Sequence, residues 1–295
     1  MNFKLKKLVF LSLMVILGNP LMSAIAQVTG QTVTKHSKTI VFVTGAFVHH
    51  TVWDNWKTYF EELGYQVIVP PSLYKNSTVE QLRLDPNKPL SEASLGQVIN
   101  HYEKIIRGLE EKPILIGHSL GGLIVQNLLS KNVAKGGVVI HSLPPRGIIT
   151  LKYSFLKSVF RPLGYLTKRN NNYMMSLKHW SYTFTNGMSV SEQQDSYNKF
   201  VIPESKRVAR GALTKDAKID YKKPHAPLLI LSGSQDHIIP ARLNYKNYKK
   251  YKSKEYIVDY KEMPLHNHFV LGQEGWQEEA KYIQNWIETN QSKFW

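Results

Sequence analysis

Residues 112–130 read KPILIGHSLGGLIVQNLLS. Ile114 to Ile116 form a short apolar run that ends in Gly117-His118-Ser119-Leu120-Gly121. Leu120, Leu123, Ile124 and Leu128 then recur at the spacing of one helix face. The stretch predicts a buried strand, one sharp turn and a helix. G-x-S-x-G is the pattern of a nucleophile elbow, with the serine lifted onto the tip of a strained strand-to-helix turn. Such a turn brings the chain on its two sides together. Side chains two residues before and two after the serine would collide, so both positions need glycine. Gly122 adds a second small residue where the helix must approach the sheet. The helix N-terminus also aims unpaired N–H groups and a partial positive charge at the serine, which suits a developing oxyanion. Ser119 is therefore the candidate nucleophile.

The 295 residues suit one large α/β domain with an insertion, or two small domains. A hydrophobic share of 42% is enough for a sizeable core. The first residues stand apart from it. Lys4, Lys6 and Lys7 precede an apolar run over 8–17, Gly18-Asn19-Pro20 breaks the run, and Ala24-Ile25-Ala26 has small-residue cleavage spacing. This is the pattern of a secretory signal peptide over 1–26, the run being too short to span a bilayer. The expected location is the bacterial periplasm or medium. Residues 27–38 read as a flexible polar lead-in.

The absence of cysteine excludes disulfides, thiolate metal sites and a cysteine nucleophile. The formal charge of +16 favours anionic surfaces, but no nucleic-acid motif accompanies it. A membrane enters the expectation only as such a surface, and the sequence leaves the oligomeric state open.

Outward from the elbow, apolar runs alternate with amphipathic stretches. Strands are expected at 39–44, 65–69, 137–141, 228–231 and 256–260. Helices are expected through Trp53, Trp56 and Phe60, through Leu95 to Leu109 behind a Ser94 cap, and over 275–289. Alternating strands and helices imply βαβ units and a mostly parallel, doubly wound sheet. Residues 146–223 break the pattern, mixing aromatic and basic residues without strand alternation, and read as a helical lid. The core is thus expected from 39–145 and 224–295.

A serine hydroxyl needs a histidine base oriented by a carboxylate. Asp236 follows the strand at 228–231, with Asp259 and Asp220 as weaker rivals. His266 and His268 follow the next strand. Adjacent His49 and His50 could suggest a metal, but no carboxylate cluster supports one. No dinucleotide fingerprint is present, so neither cofactor nor metal is expected.

At this point the chain resembles the α/β-hydrolase superfamily, in its small esterase and lipase branch. VTGAFVHHTVW (43–53) resembles the family's first-strand loop, GHSLGG its elbow and SQDHIIP its acid loop. HFVLGQEGWQEEA (268–280) is similar to its histidine-to-last-helix segment. The resemblance implies the α/β-hydrolase fold with the lid inserted after the sixth strand. It selects His268 over His266 as base, with Asp236 as orienter. It implies oxyanion N–H groups on Leu120 and Ala46, with Phe47 the alternative to Ala46. Thr44 departs from the histidine that many relatives carry there. The implied activity is hydrolysis of small-molecule carboxylic esters through an acyl-enzyme. Alternatives are an amidase, lactonase, peptidase or acyltransferase using the same triad, or a non-catalytic hydrolase-fold binding protein.

Overall fold

A computed structural model describes residues 38–85, 88–164, 168, 170–223, 225–251 and 255–294. The signal-peptide reading and nearly all of the lead-in lie outside them. Six strands form one sheet: β1 (Thr39–Val43), β2 (Gln66–Ile68), β3 (Ile114–His118), β4 (Gly136–Ile140), β7 (Leu228–Gly233) and β8 (Val258–Met263). Their order is β2-β1-β3-β4-β7-β8 and every neighbouring pair is parallel.

Strand alternation divides the core between the two faces. Ile40, Phe42, Ile114, Ile116, Leu229 and Leu231 pack on one side. They meet α1 (Asp54–Glu62) and α11 (Trp276–Thr289) through Trp56, Phe60, Ile283 and Ile287. Val41, Val43, Leu115, Val139 and Ile230 pack on the other. There they meet α4 (Leu95–Arg107) and α5 (Leu120–Leu129). Ser94 begins α4 with a capping box completed by Gln97, worth about 1 kcal/mol. Two short helices, α2 (Val79–Leu84) and α3 (Lys88–Glu92), lie before it in the chain.

The lid segment carries α6 (Tyr153–Leu163), α7 (Leu177–Thr183), α8 (Val190–Phe200) and α9 (Lys206–Gly211). It also holds a two-stranded antiparallel ribbon, β5 (Asn172–Tyr173) with β6 (Glu204–Ser205). The chain leaves the sheet for this segment after β4, its fourth strand, not after a sixth, because only four of the sheet's described strands precede residue 146. Buried Lys75, in the loop after β2, pairs with buried Glu204 of the ribbon. α10 (Ala241–Tyr248) links β7 to β8. The last strand starts and ends later than its apolar run suggested, since Tyr256 and Ile257 precede the pairing of Val258 with Leu228.

The chain runs outward from β1 to β2 and then crosses to β3 on the other side of β1. Crevices in such sheets open at this reversal, outside the strand carboxyl ends. Ser119 follows β3 directly.

Candidate active site

The elbow has the close approaches its glycines imply, with one difference. A Cβ on Gly117 would stand 2.4 Å from the Gly121 carbonyl oxygen, across the turn. A Cβ on Gly121 would stand 2.0 Å from the Val43 oxygen, so Gly121 is required by the neighbouring strand β1 rather than by its own turn. Gly122 faces Ser142, beyond β4. Ser119 itself has φ 56° and ψ −119°, a backbone conformation few non-glycine residues adopt. Its carbonyl accepts from Gly122 and Leu143 N–H, which pins the turn from both directions.

Three residues far apart in the chain converge here. His268 Nε2 lies 2.9 Å from Ser119 Oγ, and His268 Nδ1 lies 2.6 Å from Asp236 Oδ2. The other carboxylate oxygen of Asp236 accepts from the Ile238 and Ile239 N–H groups, at 2.9 and 2.6 Å. That locks the carboxylate plane toward the imidazole. His118 Nε2 is 2.8 Å from the His268 carbonyl oxygen, which fixes the His268 main chain. The rivals are elsewhere: Asp259 accepts from the Trp286 indole at 2.7 Å, and Asp220 caps the Lys222 N–H in a lid turn.

Behind the triad lies a charge network that sequence reasoning missed. His141, at the end of β4 with φ 46°, is fully buried. Its Nδ1 is 3.5 Å from Asp236 Oδ2 and its Nε2 is 3.5 Å from Glu279 Oε2. Glu279 is fully buried too, and accepts from His266 Nδ1 at 2.9 Å. His266 thus serves Glu279, not Ser119. The signal was present in GVVIH, where a histidine ends an apolar strand on the active edge. Its partner Glu279 is one of two adjacent glutamates, and only the fold shows which one turns inward.

Burial and charge oppose each other throughout this group. Burial lowers the His141 pKa, but the Glu279 and Asp236 carboxylates outweigh it and raise it to about 9. His141 is therefore an imidazolium at neutral pH. Burial pushes the Asp236 and Glu279 carboxyls up, yet their histidine neighbours hold both below the ordinary carboxylate range. Burial lowers the His268 pKa, Asp236 raises it in part, and the His141 charge lowers it again. The balance leaves His268 neutral, able to accept a proton. Among the described residues, His141–His266–Glu279 and His141–Asp236–His268 are the sets whose donor atoms lie close enough to share a cation, within 4.8 Å. Each set is wholly buried, and its members are already engaged in the contacts just described. The His49 and His50 rings lie 4.1 Å apart with their planes tilted by 44°, and neither belongs to these sets.

Ser119 opens into a cavity of about 100 Å³. Ala46, Phe47 and Leu120 border it beside the serine, and among the described residues neither the Ala46 nor the Leu120 N–H has a hydrogen-bond partner in the protein. Every other described lining residue is apolar, with Phe155, Val159 and Leu163 of α6 forming one wall. Phe184 stands edge-on to His268 with ring centres 4.6 Å apart.

The fold has counterparts among known proteins. The profile of the Alpha/beta hydrolase family matches residues 40–279. No curated protein matches the sequence significantly. Solved structures share the fold at low identity. A histidine-to-alanine variant of tomato Methylketone Synthase I in complex with beta-ketoheptanoate is 15% identical, with a TM-score of 0.65 over 86% of this chain and 98% of that one. Polyneuridine aldehyde esterase is 14% identical, with a TM-score of 0.60 over 84% and 98%. The Paleococcus ferrophilus monoacylglycerol lipase is 20% identical, with a TM-score of 0.59 over 84% and 93%. With its parallel sheet, its serine elbow and a family profile spanning most of its length, the chain belongs to the alpha/beta hydrolase family of hydrolases.

Proposed function

We propose that the protein is a serine esterase for small, uncharged carboxylic esters. One observation carries this reading: the Ser119–His268–Asp236 relay ends in a cavity where, among the described residues, Ser119 is the only polar side chain. Ser119 Oγ attacks the ester carbonyl carbon while His268 Nε2 takes the hydroxyl proton. Asp236 holds the resulting imidazolium, and the Leu120 and Ala46 N–H groups receive the oxyanion. Collapse breaks the ester C–O bond, and His268 returns its proton to the leaving alcohol. Water then repeats the sequence on the acyl-enzyme.

The lining argues for the substrate class. A charged acyl group would find no counter-ion there and would be desolvated without compensation. Added methylenes gain about 0.8 kcal/mol each, ~4-fold in kcat/KM, until the cavity is full. Rates on p-nitrophenyl esters of increasing acyl length, with an anilide control, test this. Ser119→Ala should lower turnover by about three orders of magnitude or more, and a fluorophosphonate should label wild type but not the variant. An unchanged rate on the activated ester would sink the assignment.

Export rests on the pattern over residues 1–26; fractionation of expressing bacteria, with the N-terminus of the product sequenced, tests it.

A further inference from the structure

Among the described residues, large exposed apolar side chains concentrate in one place. Ile149 (70% exposed), Leu151 (84%) and Tyr153, Leu156 and Phe160 (75%) fall within twelve residues of the lid's first segment. On α6, Tyr153, Leu156 and Phe160 share one side, at spacings of three and four. Phe155, Val159 and Pro162 occupy the opposite side and line the cavity above Ser119. The helix is apolar on both faces, and among the described residues only the inner one has a covering partner.

The surroundings of the outer face are uniformly positive. No Asp or Glu occurs between Glu111 and Glu192, so every charge on residues 112–191 is basic. Lys152, Lys157 and Arg161 lie on or next to α6. Lys157 Nζ sits 3.6 Å over the Tyr182 ring rather than against a carboxylate. Across a groove from Ile149 stand Arg242, Lys246, Lys249 and Lys250, on and just after α10. Lys246 Nζ donates to the Ile149 carbonyl at 3.1 Å, which ties the two segments together. None of these seven basic residues has an ion-pair partner among the described residues. Glu262 is the sole carboxylate on the adjoining groove beside Leu151.

From this juxtaposition we infer that the outer face of α6, the 149–152 loop and the basic side of α10 together dock onto an anionic phospholipid surface. Aliphatic and aromatic anchors interleaved with unpaired lysines match a partner that offers acyl chains and negative head groups at one interface. A nucleic-acid backbone would engage the lysines but leave Ile149, Leu151 and Phe160 in water. Leu213, which lines the cavity and is half exposed, marks its edge beside the lid. The helix that meets the lipid is thus a wall of the cavity, and docking would bring apolar substrate dissolved in the membrane to Ser119.

Co-sedimentation with vesicles tests the surface independently of the esterase reading. The purified protein is spun with phosphatidylcholine vesicles and with vesicles of equal parts phosphatidylcholine and phosphatidylglycerol. Binding to the mixed vesicles alone, weakened by salt, is the expected result. I149S/L151S/F160S and K246Q/K249Q/K250Q should each lower vesicle affinity by about tenfold or more. Both should keep the wild-type circular dichroism and the wild-type rate on a soluble p-nitrophenyl ester, since none of the six residues lines the cavity. Equal binding to both vesicle types, binding to neither, or indifference to both triple variants would overturn the inference. So would a DNA duplex that is retained while vesicles are not, or a dimer in light scattering that only the apolar variant abolishes.

Discussion

His141 is the side chain through which the surroundings of the triad act on its base. Burial holds the His268 pKa down and the positive charge of His141, within 3.5 Å of Asp236, lowers it further, so the acid limb of kcat/KM is expected below the usual histidine value of 6.5. His141→Gln removes that charge and should move the limb upward, with little change in rate above it. Glu279→Gln withdraws the anion that keeps His141 protonated while leaving His266 an acceptor, and should move the limb the same way. The double variant should shift no further than either single one, because both act through one proton. pH–rate profiles of the four proteins check this; additive shifts would show that two separate effects are involved.

At the scale of the element, the elbow stores strain that the rest of the fold imposes. Ser119 occupies a backbone region that glycine adopts without penalty, and the misfit costs on the order of 1–3 kcal/mol. Ser119→Gly should therefore melt above Ser119→Ala although both are inactive, as calorimetry would show. Gly121→Ala should destabilise by about 3 kcal/mol or more, its methyl meeting the β1 backbone, which cannot rotate aside. The lid ribbon has a different vulnerability. Lys75→Met leaves the Glu204 carboxylate buried and unpaired, at a cost of about 3–5 kcal/mol, and adding Glu204→Leu should recover most of it. Urea unfolding of the single and double variants measures the difference.

For the whole molecule, the buried network links stability to pH at both ends. The raised pKa of His141 means that its contribution is complete below 6.5 and is lost as pH rises toward and through about 9. The depressed Asp236 and Glu279 carboxyls contribute in full above the ordinary carboxylate range, and that part is lost as pH falls through their lower folded values. Burial lowers the pKa of His118 and His268, so their contribution is complete above 6.5 and is lost as pH falls below it. The melting temperature should therefore be highest at about pH 6.5 to 7 and decline on both sides, with the alkaline decline flattened in His141→Gln.

Local pattern determined a good deal of this protein. Strand and helix existence followed from apolar periodicity, and the elbow followed from two glycines around one serine. The convergence of Ser119, Asp236 and His268 was legible because each stands just past a strand, at the edge where a parallel sheet gathers its carboxyl ends. What local pattern could not carry was pairing between distant residues. Nothing in the chain around His266 says that it serves Glu279, or that His141 lies between two carboxylates. Those contacts exist only once β4, β7 and α11 have packed together. The same holds for Gly121, whose obstacle is a strand nearly eighty residues earlier, and for α6, whose two apolar faces look alike in sequence. Only the cavity wall on one side and solvent on the other distinguish them, because burial is a property of packed elements and not of the residue that is buried.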